Sequence, residues 1–238
     1  MIINRENNIT YILKNDEADL SYMFYNCSSL TSINLSNFNT NNVTDMSDMF
    51  YDCSSLKNIN LSNFITNNVK DMCYMLCGCS SLTSIDVSNF NTKNVTNMCW
   101  LFSSCLSLTS IDLSNFNTNK VINMYCMFAY DTSLTSINLS NFNTNKLTSL
   151  GGMFRGYSSL TSIYLSSFNT NNLECLCNMF LDCKALTFLD ITNFNCEKIK
   201  TTDYMENMFK GCIFLKVNKI KYKDFKIRTQ AIVDLMDI

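Results

Sequence analysis

Apolar residues recur along this chain with a period of 26, longer than any helix or strand repeat. Residues 43–64 read VTDMSDMFYDCSSLKNINLSNF, and nearly all of the chain is a variation on that phrase. Its Met49-Phe50 pair returns as Met23-Phe24, Met75-Leu76, Leu101-Phe102, Met127-Phe128, Met153-Phe154 and Met179-Phe180, each 26 residues after the last. A further copy, Met208-Phe209, comes 29 residues later. A fixed period in the range of about 20–50 residues marks an array of stacked units, each too small to bury its own apolar face.

Two shorter patterns alternate inside each unit. Ile33-x-Leu35 alternates as a strand does, with Ser32, Asn34 and Ser36 pointing the other way. Met46, Met49, Phe50 and Cys53 stand at i, i+3, i+4 and i+7, the spacing of one apolar face of a short helix, with Thr44 or Asp45 placed to cap it. Val43, between the two, fits either a second short strand or a corner. The pattern therefore predicts an α/β repeat solenoid, leucine-rich-repeat-like, of about eight coils, each with a short strand and a short helix. Apolar burial in a single coil only balances the entropy of ordering it, so neighbours on both sides are required.

The boundaries follow from where the register starts and fails. Residues 1–19 hold only a degenerate copy and read as an amino-terminal cap, 20–212 as the repeat body, and 213–238 as a carboxy-terminal cap of one continuous domain. Three residues are inserted near 200–203, where a bulge is expected. Beyond it lies the one basic segment, with a final strand expected over 216–222 and a helix over 228–236 that buries Ala231, Ile232, Leu235 and Met236.

Composition narrows the function classes. An apolar fraction of 47% is too high for a disordered chain, and a net charge of −2 gives no electrostatic reason to expect nucleic acid as a partner. With no proline and only 5 glycines, the corners fall to Asn, Ser, Asp and Thr. No transmembrane segment is expected, since no apolar run approaches the ~18–20 residues a span needs. The amino terminus lacks the charged-then-apolar pattern of a signal peptide, which leaves the cytoplasm, or a mature fragment, as readings.

Histidine is absent, which removes the usual general base and the Ser-His and Cys-His nucleophile pairs. There is no Gly-rich phosphate loop, so no enzyme activity and no cofactor are expected. Of the 13 cysteines, Cys27, Cys53, Cys79, Cys105, Cys183 and Cys212 share one column, broken by Asp131 and Tyr157. That column lies among Met and Phe, so it reads as a file of reduced, buried thiols. Cys73 and Cys99 share another column, with Cys77 and Cys79 near by, but Cys-x3-Cys-x-Cys is not a standard zinc spacing, and no metal is expected.

The repeat phrase at 27–50, CSSLTSINLSNFNTNNVTDMSDMF, and its copies resemble the leucine-rich repeats of the BspA-like surface-protein family, in the 26-residue version of mycoplasma-type proteins. That resemblance covers about residues 20–215 and implies a solenoid with a role in surface recognition or adhesion. It implies no catalytic residues. Together with the missing signal, it leaves cell-surface and cytoplasmic locations both open, so an intracellular interaction scaffold stands as the alternative. The partner expected is a protein, with oligomeric state undetermined.

The candidate recognition residues line the outward side of the strand column: Asn34, Asn60, Asp86, Asp112, Asn138, Tyr164, Phe188 and Asp190. A long Ser/Asn/Thr surface of this kind serves either recognition or solubility, and Tyr164 and Phe188, where the column changes character, are the expected aromatic anchors.

Overall fold

The computed structural model describes residues 18–236, so nearly all of the amino-terminal cap expected at 1–19 lies outside the described residues. Within them, successive coils lie directly on one another. Isolated parallel bridges join Asp19 to Asp45, Asp45 to Asp71, and so on through Asn97, Asn123 and Ser149 to Cys175. The neighbouring position forms its own chain of hydrogen bonds, Lys70 N–H to the Thr44 carbonyl (2.8 Å), Thr96 to Lys70 and Ile122 to Thr96. Of the two readings of the Val43 stretch, the corner is the one found: the coils meet through one isolated bridge each, and no strand forms there.

The apolar columns run through the stack as continuous buried files. Phe24, Phe50, Phe102, Phe128, Phe154, Phe180 and Phe209 are fully buried, and neighbouring rings stack at 5.1–6.3 Å wherever two meet. Phe64 and Phe90 are buried in the same core.

The expected short helix does not form, although Met46, Met49, Phe50 and Cys53 are all buried. The segment is a ribbon of consecutive turns. Leu20, Tyr22, Phe24 and Asn26 donate their N–H groups to Asp45, Ser47, Met49 and Tyr51 of the next coil; Met23, Tyr25 and Cys27 donate to the carbonyls three residues back. Two residues per coil sit in the left-handed region, for example Asp48 (φ 56°) and Asp52 (φ 54°), which breaks any right-handed winding. A helix would point every N–H along its own axis and leave none for the neighbour. Asp45 likewise accepts from Ser47 N–H (2.8 Å) as an Asx turn, not as a helix cap.

Strands are fewer than expected. Only β1 (Ser162–Tyr164), β2 (Phe188–Asp190) and β3 (Ile220–Lys221) form a ladder among the described residues, parallel and in that order, with Ile163 opposite Leu189 and Leu189 opposite Ile220. In earlier coils the same stretch is extended but held by side chains. Asn89 Nδ2 donates to the carbonyls of Leu61, Ser62 and Phe64 in the coil before, as Asn63 and Asn115 do to theirs. Buried threonines clamp the next corner: Thr66 Oγ1 accepts from Asn91 N–H (2.7 Å) and donates to the Asn91 carbonyl (3.2 Å). The Asn and Thr of the consensus are thus coil-to-coil fasteners.

At the carboxy-terminal end the insertion winds a 3-10 turn, Thr202–Met205, and α1 (Phe225–Met236) starts three residues earlier than the sequence predicts. The strand expected over 216–222 shrinks to β3 behind a 3-10 turn at Val217–Lys219. α1 buries Ile227, Ala231 and Asp234, whereas Met236, expected inside, is exposed. Asp234 Oδ2 accepts from Phe209 N–H (2.9 Å), the donor that in inner coils meets a carbonyl of the next coil. Asp224 does the same for Cys196 N–H, and Lys226 Nζ donates to the carbonyls of Cys196 and Ile199 (both 2.9 Å).

The cysteine column is a thiol file: Cys53, Cys79, Cys105, Cys183 and Cys212 each donate Sγ–H to a backbone carbonyl of the preceding coil, at 3.0–3.4 Å. Burial pushes the Cys53 thiol up to about 12 and those of Cys79, Cys105 and Cys183 well above their ordinary value. Cys73 and Cys99, which share a second column, differ from that file: they form a disulfide across adjacent coils, with Cα atoms 4.7 Å apart. Neighbouring coils bring like positions to strand spacing, within disulfide reach.

Asp131 and Tyr157 interrupt the thiol file. Asp131 Oδ1 accepts from Cys105 N–H (2.9 Å), but its Oδ2 and the Tyr157 hydroxyl are buried without hydrogen-bond partners. Burial holds the Asp131 carboxyl well above its ordinary value of 3.8, against the opposing effect of the Cys105 N–H.

The folded chain therefore binds a proton at Asp131 that the unfolded chain releases above 3.8. That contribution to stability is complete below this value and is lost as pH rises through the raised one. Asp131→Asn should be about as stable as the parent near pH 4 and more stable by about 1–3 kcal/mol toward pH 8; denaturant melts across that range measure it, and parallel curves would refute it. Gly78 (φ 76°) offers a second check, since an added Cβ would lie 3.2 Å from Asp52 Cα and run into its carboxylate. Gly78→Ala should cost about 1–3 kcal/mol in the same melts, from left-handed strain and crowding together.

Candidate binding face

The repeat places Asn34, Asn60, Asp86, Asp112, Asn138, Tyr164 and Asp190 in one column on the outer side of the strand corridor. The first six are exposed and Asp190 is half-buried. The column's Asn and Asp side chains are turned back on their own coil. Asn34 Oδ1 accepts from Ser36 N–H (3.0 Å), and Asn60, Asp86, Asp112 and Asn138 accept in the same way from Ser62, Ser88, Ser114 and Ser140. The Ser88 hydroxyl and N–H lower the Asp86 pKa, and the Ser114 N–H and hydroxyl lower that of Asp112. These two acids are ionised and solvated, which suits neither to deliver a proton near neutrality.

The face changes at the three-stranded sheet. Tyr164 on β1 is 66% exposed, and its ring lies 5.5 Å from that of Phe188 on β2, tilted by 42°. Tyr164 pairs in register with Asp190, which places Phe188 diagonally across the same face. Lys221 on β3, in register with Asp190, completes the group: its Nζ lies 3.9 Å from Asp190 Oδ2 and 5.3 Å from the Phe188 centroid. Two rings, one acid and one base thus meet on a face that is otherwise Asn, Asp and Ser.

Of the sequence-predicted residues, the structure gathers Tyr164, Phe188 and Asp190. Asn34, Asn60, Asp86, Asp112 and Asn138 lie on the same face but in earlier coils. Lys221 was missed by sequence reasoning because the insertion and the short 3-10 turn move it out of the 26-residue register; alternation through the final strand was the available signal.

A second aromatic row was also missed. Tyr25, Tyr51, Tyr74, Trp100 and Tyr125 follow one another along the turn edge with centroids 4.8–6.0 Å apart. Tyr25–Tyr51 and Tyr74–Trp100 stack face to face, so those rings spend their faces on one another. Among the described residues, no group of three or more Cys, Asp or Glu side chains comes together to hold a metal ion. No helix among them is long and apolar enough to cross a membrane.

The chain matches the family described as "Mycoplasma protein of unknown function, DUF285" over residues 18–137 and 129–231. No curated protein matches it. Among solved structures, a leucine-rich repeat protein from Bacteroides ovatus ATCC 8483 is similar at 18% identity, covering 87% of this chain and 73% of that one, with a TM-score of 0.27. A leucine rich cell surface protein from Faecalibacterium prausnitzii A2-165 is similar at 17% identity, covering 89% and 78%, with a TM-score of 0.28. At such scores the two chains do not superpose on this one, and the architecture rests on its own hydrogen bonds.

Lys221 has a side chain 62% exposed, so its ion pair is screened by water and salt. Lys221→Ala should change unfolding free energy by less than about 1 kcal/mol in denaturant melts; a much larger loss would make the cluster part of the framework instead of a free surface.

Proposed function

The chain belongs to the DUF285 family, and from the geometry above we propose that it is a non-enzymatic binding module of the leucine-rich-repeat type that recognises a protein partner. Its body is a solenoid of about eight coils over 20–212 closed by a cap over 213–238, related to the BspA-like surface repeats. The carrying observation is the group of Tyr164, Phe188, Asp190 and Lys221 on the exposed face of the only regular sheet among the described residues. An exposed tyrosine beside a half-buried phenylalanine is the kind of aromatic anchor found at interface centres, with the Asp190–Lys221 pair at its edge, and a stacked framework holds the rings in place at little entropic cost on binding. Asn34, Asn60, Asp86, Asp112 and Asn138 extend the same surface as its polar rim.

The partner is a protein, and nucleic acid, metal and cofactor have no part in this function. Recognition or adhesion at a cell surface is the first form of this function, and an intracellular interaction scaffold the second. Both use the same face.

A pull-down with the intact chain, set beside one in which Tyr164 and Phe188 are both replaced by Ser, tests the face. The double variant should retain at least about tenfold less of the partner, while Asn34→Ala with Asn60→Ala changes retention little. Equal retention by the ring-less variant would remove the aromatic pair from the site. Protease treatment of intact cells separates the two forms: degradation of the chain supports the surface role, and full protection supports the scaffold.

A further inference from the structure

Position 175 belongs to the column of bridge residues that in earlier coils carries Asp45, Asp71, Asn97 and Asn123. Each of those presents a side-chain oxygen to the N–H two residues on: Asp45 to Ser47 (2.8 Å), Asp71 to Cys73 (2.8 Å), Asn97 to Cys99 (3.3 Å) and Asn123 to Tyr125 (2.9 Å). The corner is thus built to hold an acceptor, and twice an anion, over a backbone donor. In the coil at 175 the acceptor is sulfur, and the residue two on is also cysteine.

Leu176 between them turns into the core, so both thiols emerge on the same outer side. Their Sγ atoms lie 2.8 Å apart, and both residues are half-buried, unlike the thiol file inside. The coil before matches them with Ser149 and Gly151, so the position beside Cys177 carries no side chain, and a Cβ on Gly151 would stand 3.1 Å from Cys175 Sγ. In the column of Cys73, Cys99 and Cys177, the first two find each other across coils, whereas the position next to Cys177 is Gly151. Its partner is within its own coil.

We propose that Cys175 and Cys177 form a redox-active dithiol that exchanges with low-molecular-weight disulfides, Cys175 attacking and Cys177 resolving. The Cys175 thiolate attacks one sulfur of the disulfide RSSR, its S–S bond breaks, and one RS⁻ leaves and takes a proton from water. Cys177 then gives its proton to water and attacks Cys175 Sγ, displacing the second RS⁻. The balance is two protein thiols and RSSR giving one protein disulfide and two RSH. The order of roles follows from the corner: the Cys177 thiol, its N–H and the Ser149 hydroxyl bring Cys175 down to about 7 against the effect of burial. Cys177 is pushed up by its bond to Cys175 and by burial, and the buried Cys126 stands at about 12.

The test uses the folded chain equilibrated with oxidised glutathione, then alkylated and mapped by peptide mass. The parent should carry a Cys175–Cys177 disulfide; Cys177→Ser should stop with glutathione on Cys175; Cys175→Ser should show neither product. On the parent alone, which needs no variant, iodoacetamide should label Cys175 with a midpoint near pH 7 and more than about a hundredfold faster than Cys126 at that pH. Recovery of both thiols alkylated after glutathione treatment, glutathione settling on Cys177 first, or labelling of Cys175 no faster than of Cys126 would each overturn the proposal.

Discussion

The constraint behind every feature of this chain is that a coil cannot satisfy its own backbone. Half of the N–H groups in each turn ribbon have no acceptor within the coil and donate to the neighbour one period along. An unpaired N–H in the interior is costly, so the neighbour must present a carbonyl at the matching position. That requirement fixes the period more firmly than apolar packing does. Leu76 replaces phenylalanine, and Tyr157 replaces cysteine, without disturbing the register. The insertion near residue 200, by contrast, is taken up in a 3-10 turn so that Leu176 N–H still finds the Tyr204 carbonyl at 2.7 Å.

The columns were legible in the sequence because burial acts on side-chain identity, and identity repeats. The backbone between them was less so. Met46, Met49, Phe50 and Cys53 have helical spacing, but a ribbon of turns with left-handed residues at Asp48 and Asp52 brings the same four inward. A pattern of buried positions cannot tell these paths apart. Asp, Asn, Ser and Gly recurring at those two positions were the signal that it was not a helix, diluted by Tyr74, Trp100 and Cys126 in the same conformation. The strands failed for the opposite reason: Ile33 and Leu35 alternate as predicted, yet Asn63 and its equivalents fasten that corridor through side-chain amides where a ladder was expected.

The candidate face shows the same division. Tyr164 and Phe188 stood out as breaks in a monotonous column, and the sheet brings their rings together. Lys221 belongs with them only through a pairing that no fixed period predicts. The cysteines divide by environment. A column among Met and Phe reads directly as buried thiols, whereas bonding of Cys73 to Cys99 depends on which way two side chains leave adjacent coils, and that is set by the turn ribbon. The 175–177 pair likewise draws its character from a corner shaped by aspartates elsewhere.

The polar groups of the carboxy-terminal helix bear on how such chains behave in company. A stack that satisfies itself by adding one more layer is also a template for another molecule, as an open sheet edge is. Here Asp234, Asp224 and Lys226 occupy the donors and acceptors on the last layer, so an incoming copy would find its docking positions taken and would have to strip two carboxylates and an ammonium of their bonds to join. That helix thus acts as a stopper against head-to-tail fibre growth from this end of the stack.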